Sequence, residues 1–424
     1  MAATMSRTGE PPIRRHPTTW QWLVRFGACH TAILFLPLLI PGLYGGAGPR
    51  SVLYDVRLYF EYASQAAAGQ IPYRDYIVEY PPLALPVILL PRLLTREFGL
   101  YVVFFAVLML AFDLLMVYLV ARCVAAQDGP SAVPVRLAWY TAFAAALYPM
   151  LAARYDLAAS AIAFAAAAWW FSCRPAWGAT AAVAGTLLKV YPAFIAALAA
   201  VYEAGRIRAT RLRGTLIFVP GIVMAAAVWW GVGGRASLEY HLGRGLQIET
   251  LWAGILMGLA KITGARLAWS YNHSSVELLA PGARALAALA LPAQGVALLL
   301  VIWRFWRSDF REPLRHAGAA VLAFVLCGKV LSPQYLIWVM PFVTVLEGWT
   351  GRVARCIFLL GCAATTIVYP WAIRHLLAFE SGTIALLNLR NVLLAVLFAL
   401  LLLDPGEHQG ARPRVGWRTK RYAA

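Results

Sequence analysis

The chain is a succession of apolar runs separated by short polar segments, and this pattern continues from residue 26 to residue 403. Many of the runs approach the ~20 residues that an α-helix needs to cross a bilayer. The pattern therefore predicts an all-α polytopic membrane protein with about twelve crossings in a single transmembrane domain, 26–403. The predicted spans are 26–46, 99–120, 137–151, 156–173, 178–188, 191–203, 214–232, 284–303, 315–330, 333–347, 353–372 and 387–403.

Charge predicts the orientation of these spans. The formal net charge is +18, and the excess arginines lie in clusters beside apolar runs, at 206–213, at 304–315 and in the tail 404–424. Such clusters mark cytoplasmic ends of spans under the positive-inside rule. We therefore expect a multi-pass protein of the plasma (inner) membrane, with the N-terminal segment 1–25 and the basic tail both cytoplasmic. No nucleic-acid-binding motif accompanies the charge, so we expect no nucleic-acid partner.

Residues 80–95 are ambiguous in this scheme. Four prolines crowd into the run, which is short for a full crossing, and proline breaks or kinks helices. If the run crossed the membrane, the later basic clusters would lie outside. If it only dips into the outer leaflet, they lie inside, and the charge pattern favours this second arrangement.

With this orientation, two long segments lie outside the membrane, 47–98 and 233–283. Segment 233–283 mixes Leu, Ile and Trp with charged residues, which predicts amphipathic helices on the extracytoplasmic face. The inner loops contain little beyond arginine, whereas the polar residues of chemical interest lie in or beside the outer segments. We therefore expect an extracytoplasmic site.

The first outer segment contains the candidate base. Residues 54–82 are polar, acidic and aromatic between two long apolar runs. Asp55 follows closely behind the first span, where a carboxylate can take a proton from a substrate hydroxyl. The aromatic residues around it offer flat faces that pack on sugar rings. A solvated acid beside Arg57 is the alternative for Asp55, and Glu79, next to Tyr80, is the competing acid.

Two polar groups lie at outer turns between predicted spans. Arg154 and Asp156 flank a tyrosine, and ionisable groups at membrane depth usually mark a functional cavity. A self-contained Arg–Asp pair that caps the helix is the alternative. Lys189, followed by Tyr191, lies at the tip of a predicted tight hairpin, where it would bind a phosphate or snorkel to the interface. One long helix is the alternative to the hairpin.

A third polar group lies in the second outer segment. His241 and Arg244 would share one helix face at i, i+3, and Gln247 would continue that row, with Glu249 just beyond it. A stripe of donors on an otherwise apolar helix suits an anionic head group. An interfacial helix with an ordinary hydrated face is the alternative.

The last polar group joins two spans. Lys329 ends one of them, and Gln334 and Tyr335 stand near the start of the next. A phosphate contact and a snorkelling lysine are both compatible with this placement. Asp113 lies in the middle of the span 99–120 without an obvious partner. The six cysteines have no metal-ligand spacing with each other or with histidine, so we expect buried thiols, no metal and no cofactor.

Six segments together carry a resemblance to a known family. They are Tyr54-Asp55, Gly69–Tyr73 with Tyr80-Pro81-Pro82, Arg154-Tyr155-Asp156, Lys189-Val190-Tyr191-Pro192, Arg244–Glu249 and Ser332-Pro333-Gln334-Tyr335. In this order they resemble the GT-C superfamily of polyprenyl-phosphate-sugar-dependent glycosyltransferases. Within it they look like the polyprenol-phosphate-mannose-dependent α-1,2-mannosyltransferase branch. The resemblance covers most of the membrane domain and implies a GT-C-like helix bundle.

The resemblance also implies an inverting reaction outside the membrane. Asp55 would deprotonate the acceptor hydroxyl, whose oxygen attacks the anomeric carbon of a lipid-linked sugar while the lipid phosphate leaves. Cations would stabilise that phosphate. The candidates are Lys189, His241, Arg244 and Lys329, with Arg154 a weaker one. The implied partners are a polyprenyl-phosphate-sugar donor, a glycolipid or glycan acceptor and the lipid bilayer. Mannose is the first choice of sugar, with arabinofuranose and glucose open.

Two other functional classes are compatible with a polytopic chain. A lipid-linked-sugar flippase or small-molecule transporter would place ionisable groups near the midplane, often at broken helices related by internal symmetry. Here the polar groups gather at one face, and no repeat is evident. A non-catalytic membrane scaffold would leave the outer acids and cations unexplained. The enzyme is therefore the favoured interpretation.

Overall fold

The structure is a computed structural model that describes residues 19–39, 52–172, 174–205 and 212–403. Several sequence predictions concern residues outside these ranges. They are the arginines of the N-terminal segment (Arg7, Arg14 and Arg15), residues 40–51 of the first span and first outer segment, Cys173, the cluster Arg206, Arg208 and Arg211, and the tail 404–424.

The described residues fold almost entirely into helices, joined by short turns and one antiparallel hairpin. The α-helices are α1 (Thr19–Phe35), α2 (Tyr54–Ala67), α3 (Ala84–Leu94), α4 (Phe98–Gln127), α5 (Val133–Ala146), α6 (Tyr148–Leu151), α7 (Asp156–Trp170), α8 (Pro175–Leu188), α9 (Pro192–Gly205), α10 (Arg213–Gly231), α11 (Arg235–Gly243), α12 (Leu251–Thr263), α13 (Ala283–Arg307), α14 (Pro313–Cys327), α15 (Leu336–Thr344), α16 (Gly348–Thr366), α17 (Ile373–Leu377) and α18 (Ser381–Leu402). The remaining elements are 3₁₀ turns at Leu36–Leu39, Pro130–Ala132 and Pro333–Tyr335, a π turn at Ile367–Trp371, and the strands β1 (Ala268–Asn272) and β2 (Ser275–Leu279).

Among the described residues, five helices are long and apolar enough to cross a membrane: α4, α10, α13, α16 with its following π turn, and α18. Further apolar helices, α3, α7, α9, α12 and α14, are shorter. The protein is therefore an all-α, multi-pass membrane protein, and the fold class expected from the apolar pattern is confirmed. Helices overlap all twelve predicted spans, although many of them are shorter than a full crossing and the described part of the first span ends at Leu39.

The first span is displaced from its predicted position. The helix α1 begins at Thr19 rather than at residue 26, because Trp20, Trp22, Leu23 and Val24 extend the apolar surface toward the N-terminus. The boundary between the segment 1–25 and the membrane domain stays a prediction.

The two ambiguous segments are resolved differently. Lys189 is extended between α8 and α9, so the hairpin is confirmed and the single long helix is wrong. Residues 80–95 form the helix α3, whose 11 residues extend only about 16 Å, against the ~30 Å of a hydrocarbon core. This helix packs against α2 and α4. The leaflet in which it lies stays a prediction.

The helix α7 lies at the centre of the bundle and packs against α4, α8 and α15. It is rich in alanine, and small side chains let neighbouring helices approach closely. At its C-terminal end, Gly178 of α8 lies so close that an added Cβ would be 2.4 Å from the backbone nitrogen of Trp170. This close packing fixes α7, and with it the buried Asp156 at the other end of the helix.

The turns between the longer helices gather at two ends of the bundle. We call one of them the basic end: it contains the C-termini of α4, α9, α13 and α18 and the N-termini of α5, α8, α10, α14 and α16. Hydrogen bonds between the end of α9 and the start of α10 and between the ends of α13 and α18 connect these termini. The opposite end, which we call the mixed-charge end, contains the N-termini of α2, α7 and α9 and the loops 68–83, 232–282 and 328–335.

The outer segment 233–283 contains a feature that the sequence pattern did not predict. Besides the helices α11 and α12 it forms the hairpin β1–β2, which turns through His273 and Ser274 at positive φ. Helix α11 ends at Gly243, and Arg244 is extended with ψ 135°. The predicted helical row from His241 through Arg244 to Gln247 is therefore wrong, because the flanking Gly243 and Gly245 favour termination.

Asp113 also differs from the prediction. It is fully buried in α4, where one carboxylate oxygen is 2.5 Å from His30 Nδ1 and the other accepts a hydrogen bond of 2.8 Å from the hydroxyl of Tyr140. His30 Nε2 is 3.0 Å from the hydroxyl of Thr141. Asp113 therefore has partners on α1 and α5, which lie 83 and 27 residues away and were not visible in the local sequence.

Candidate functional site

The candidate base Asp55 stands in the first turn of α2, at the mixed-charge end. The N-terminus of a helix favours a carboxylate, and the side chain of Asp55 is 16% exposed. Its Oδ2 atom forms an ion pair of 2.6 Å with Nε of Arg154, and the predicted partner Arg57 instead lies over the ring of Phe98. Arg154 also donates to the carbonyls of Val52 and Ala153, at 2.7 and 2.8 Å. Arg154 therefore ties the start of α2 to the turn before α7.

A second ion pair stands next to the first along the chain. Asp156 is fully buried, and its Oδ1 atom is 3.1 Å from Nζ of Lys189 and accepts a hydrogen bond of 2.7 Å from the indole of Trp338. Because a buried carboxylate needs partners, Lys189 and Trp338 hold this end of α7 to α8 and α15. The sequence reading did not include Trp338, which lies in a continuous apolar run.

Aromatic rings enclose the ammonium group of Lys189. Its Nζ atom lies 4.7 Å from the ring centroid of Tyr155, 5.4 Å from that of Trp338, 5.6 Å from that of Tyr335 and 5.9 Å from that of Tyr80. Cation–π attraction is expected at such distances. Tyr191 and Tyr335 stack on Trp338 at 4.2 and 4.0 Å, and Tyr59 contacts both Tyr80 and Tyr155 edge-on. Lys189 is therefore held within a wall of aromatic side chains, not extended into open solvent.

The competing acid Glu79 is buried in the loop before α3. Its carboxylate is 3.9 Å from a guanidinium nitrogen of Arg244, a loose pair, and its backbone carbonyl accepts a hydrogen bond of 2.6 Å from His241. Burial raises the pKa of Glu79, Arg244 opposes this shift, and the negative charge of Asp55 adds to it. The two carboxylates of Asp55 and Glu79 therefore interact electrostatically.

His241 does not add a positive charge to this environment at neutral pH. Burial lowers its pKa to about 4, and the positive charge of Arg244 acts in the same direction. The neutral ring offers a hydrogen bond only. Arg244 itself donates to the carbonyl of His273, and its guanidinium lies 5.5 Å from the ring centroid of Tyr240.

The loops 244–250 and 328–335 are joined directly. Lys329 donates to the carbonyls of Leu242 and Arg244, at 2.9 and 2.8 Å, and burial lowers its pKa. The side chain of Gln247 accepts a hydrogen bond of 2.7 Å from the backbone of Leu331 and lies 3.3 Å from the hydroxyl of Ser332. Gln334 is buried next to these residues in the chain. Gln247 therefore holds the loop that follows α14 in place through these hydrogen bonds.

Glu249 belongs to a buried cluster with Gln247 and Arg390, and Arg390 was not among the residues predicted from the sequence. It is 6% exposed, and the side chain of Gln247 donates to it at 3.3 Å. Arg390, which is 1% exposed in α18, donates to its backbone carbonyl. Burial raises the pKa of Glu249 to about 7, although the charges of Arg390 and Arg154 oppose the shift. Arg390 lies near the start of the predicted span 387–403, and an arginine within a span was the signal that could have identified it.

Two acids of the first outer segment stay apart from this cluster. Asp75 is paired with Arg74 at 2.8 Å and accepts from the backbone of Ile71, which makes it a turn residue. Glu61 is exposed on α2. Among the described residues, no group of three or more His, Cys, Asp or Glu side chains is placed to hold a metal ion.

The fold and the site together define a class of protein. The chain is a multi-pass helical membrane protein with paired acids and cations, walled by tyrosine and tryptophan, at one end of an apolar bundle. The roles of these residues toward a substrate stay predictions.

The likeness of this chain to known proteins is a structural one. No protein-family model matches the sequence, and no curated protein does so. One solved structure that the fold resembles is the crystal structure of ArnT from Cupriavidus metallidurans bound to undecaprenyl phosphate. The alignment has a TM-score of 0.47 and 13% sequence identity, and it covers 90% of this chain and 76% of that chain.

Proposed function

We propose that the protein is a membrane glycosyltransferase of the GT-C type, which moves a hexose from a polyprenyl-phosphate donor to a glycolipid or glycan outside the cytoplasm. Mannose is the first candidate for the sugar. The observation that carries the proposal is the placement of Asp55: a partly exposed carboxylate among cations and aromatic rings, at one end of an apolar bundle.

Asp55 is proposed as the general base of an inverting transfer. Its carboxylate would accept the proton of the acceptor hydroxyl as that oxygen attacks the anomeric carbon, and the bond from that carbon to the phosphate oxygen would break. General-base catalysis requires a carboxylate that reaches the substrate, and Asp55 is more exposed than the buried Glu79. Arg154 is proposed to orient Asp55, because it binds the carboxylate and two backbone carbonyls at once.

Lys189, Arg244 and Lys329 are proposed to stabilise the departing lipid phosphate. Each of them is bonded to a carboxylate or a backbone carbonyl in this structure, and a phosphate would compete with those partners. His241 would contribute a hydrogen bond, since its lowered pKa keeps it neutral at physiological pH. The tyrosine and tryptophan rings around Lys189 would supply apolar faces for the sugar.

The arrangement supports an enzyme more than the transporter that the sequence left open. A transporter site would be expected near the middle of the bundle, formed by broken helices. The ion pairs of Asp55 and Asp156 lie instead at helix N-termini at the mixed-charge end. A substrate whose lipid part stays in the bilayer would reach this end from one side.

The proposal is tested by the choice of donor. Purified protein in liposomes is offered one labelled sugar in two forms, on a polyprenyl phosphate or on a nucleotide, together with a membrane glycolipid extract as acceptor. We expect transfer from the lipid-linked form only. Asp55→Asn should abolish this transfer. Asp75→Asn is its matched control, since Asp75 is an exposed acid of the same outer segment, and it should transfer the sugar as wild type does. Transfer from the nucleotide sugar, or transport without transfer, would contradict the proposal.

A further inference from the structure

Trp338 lies closer to the carboxylate of Asp156 than Lys189 does. Its indole nitrogen donates to Oδ1 of Asp156 at 2.7 Å, whereas Nζ of Lys189 is 3.1 Å from the same oxygen and 3.4 Å from Oδ2. One carboxylate oxygen is therefore shared between a neutral donor and a cation. Asp156 is fully buried, whereas the side chain of Lys189 is 14% exposed. An approaching ligand therefore meets Lys189 and not Asp156.

The plane of the indole is fixed by two stacked rings. The ring centroid of Tyr191 lies 4.2 Å from that of Trp338, and the centroid of Tyr335 lies 4.0 Å from it, with the planes 8° and 23° from parallel. Two rings cannot share one face of the indole at these distances, so they lie on opposite faces. Trp338 is also 2% exposed. Its N–H group therefore points at Asp156 in a fixed direction.

The ammonium group of Lys189 has more donors than partners. It carries three N–H groups, and Asp156 is the one residue that accepts a hydrogen bond from it in the part of the chain that the structure describes. The rings of Tyr155 and Tyr335 face the same group, with centroids at 4.7 and 5.6 Å. A phosphate oxygen would form a charge-assisted hydrogen bond with it. Lys189 can therefore exchange its contact with Asp156 for a contact with phosphate.

This exchange would be unfavourable if Asp156 had no other partner. A buried carboxylate that loses its cation keeps a negative charge in surroundings that solvate it poorly. The indole N–H group of Trp338 stays in place and continues to bind the carboxylate. The N-terminus of α7, where Asp156 is the first residue, also favours a negative charge. A donor that cannot turn away thus lowers the cost of releasing the cation that can.

We propose that Trp338 is a positioning residue, which holds Asp156 so that Lys189 can turn to the phosphate of a lipid-linked donor. The inference rests on the proposed function, in which Lys189 binds that phosphate. Asp156 then serves as the counter-ion of Lys189 while the site is empty, and it does not itself touch the substrate. Without the indole N–H group, Asp156 would retain Lys189 more firmly, and a phosphate would compete with it less well.

The test measures the effect of Trp338→Phe twice, once with Asp156 present and once together with Asp156→Asn. Equilibrium binding of undecaprenyl phosphate to the full-length protein in detergent is the readout, and undecaprenol is the lipid that lacks the phosphate. With Asp156 present, we expect Trp338→Phe to weaken binding of undecaprenyl phosphate about tenfold, because one buried acceptor is left unpaired in the complex. Together with Asp156→Asn, the same substitution should change binding less than about twofold, because a neutral amide does not retain Lys189. Undecaprenol should bind equally to all variants.

Trp269→Phe is the matched control. Its indole nitrogen donates to the carbonyl of Leu377 at 3.1 Å and not to a carboxylate, so this variant should bind undecaprenyl phosphate as wild type does. Equal losses from Trp338→Phe with and without Asp156→Asn would show that the indole only fills space, and no loss in either case would show that it is dispensable. Both results would overturn the proposal.

A second variant covers the case in which Trp338→Phe lowers the thermal midpoint so far that the protein is not folded. Incorporation of 3-benzothienylalanine at position 338 keeps the shape of the indole and removes its N–H group, and the same two outcomes are expected. Binding does not require transfer, so wild type that binds undecaprenyl phosphate but transfers no sugar would refute the proposed function alone. Wild type that does not bind undecaprenyl phosphate would overturn both proposals.

Discussion

The two ends of the bundle both contain buried arginines, but the surroundings of the cationic side chains differ. At the basic end, Arg136, Arg315 and Arg355 donate to carbonyls where α15 and α18 end, at Leu346 and Leu403. At the mixed-charge end, Arg154 and Lys189 face carboxylates directly, within a wall of tyrosines. Arg136 also pairs with Asp128 at 2.6 Å, so ion pairs and carbonyl contacts occur at both ends, and what distinguishes the mixed-charge end is the set of aromatic rings around Lys189.

The aromatic residues at the two ends also differ in their exposure. Trp303 and Trp306 at the basic end are exposed toward the lipid region, whereas Tyr80, Tyr155 and Trp338 at the mixed-charge end point at Lys189. A membrane anchor needs exposed rings, and a sugar site needs rings that face a shared space. The comparison therefore separates a surface whose rings are exposed from a surface whose rings surround a buried ammonium group.

The largest effect is expected from labelling that locates the two ends relative to the membrane. Gln127 is exposed at the basic end and Asn272 at the mixed-charge end. With single cysteines at these positions in a cysteine-free background, an impermeant thiol reagent applied to intact cells should label Asn272→Cys and leave Gln127→Cys unlabelled until the cells are opened. This all-or-none result follows from the arginine clusters at the basic end. Labelling of position 127 from outside would reverse the orientation and place the site in the cytoplasm.

The next largest effect is expected from Asp55. Asp55→Asn keeps the shape of the side chain but removes its basicity, so transfer should fall by roughly 10²–10⁴-fold. Donor binding should survive, because the proposed phosphate contacts lie on other segments. Single-turnover transfer and equilibrium binding of the polyprenyl-phosphate sugar measure the two properties separately.

Glu79→Gln is the parallel variant for this measurement, because burial raises the pKa of Glu79 and Asp55 adds to the shift. If Asp55→Asn left the rate of sugar transfer near that of wild type while Glu79→Gln abolished transfer, the general base would be Glu79. Wild-type transfer rates in both Asp55→Asn and Glu79→Gln would show that neither carboxylate is the general base.

A smaller effect is expected from the phosphate contacts. Arg244→Ala should weaken use of the lipid donor by roughly 10- to 100-fold in kcat/KM, the value of one or two charge-assisted hydrogen bonds. Arg235→Ala is the matched control, since Arg235 lies on the neighbouring helix α11 and forms only an exposed pair with Glu239. If the two variants had the same donor kinetics, Arg244 would serve only to hold the hairpin β1–β2 through His273.

The sequence was sufficient for the parts that depend on local pattern. Apolar runs located the helices, and arginine clusters marked one end of the bundle, because both signals follow from transfer of side chains between water and lipid. The hairpin at Lys189 was also recognisable, because Arg174 and the cluster 206–213 place basic residues at both ends of the pair of spans.

The parts that depend on long-range contact were not predictable. Nothing near Asp113 indicates His30, and nothing near Asp156 indicates Trp338, 182 residues away. The row through His241, Arg244 and Gln247 failed for the converse reason: an apparent helical spacing crosses the point where α11 ends. Candidate residues could be named from their types, but their partners required the packed bundle.

The last prediction concerns stability and not transfer, and it tests the protonation of Glu249 at the mixed-charge end. Arg390 donates to the backbone carbonyl of Glu249 and not to its carboxylate, so burial outweighs the neighbouring charges and the pKa of Glu249 rises to about 7, from a usual 4.5. A raised pKa favours the protonated form in the folded state. This contribution to stability is therefore complete below about pH 4.5 and is lost as the pH rises through about 7, a change of up to about 3 kcal/mol. Glu249→Gln cannot ionise and should lose this dependence, so its thermal midpoint in detergent should fall less than that of wild type between pH 5 and pH 8. The exposed Glu239→Gln is the control, and parallel pH profiles for wild type and Glu249→Gln would show that Glu249 is ionised and paired in the folded protein.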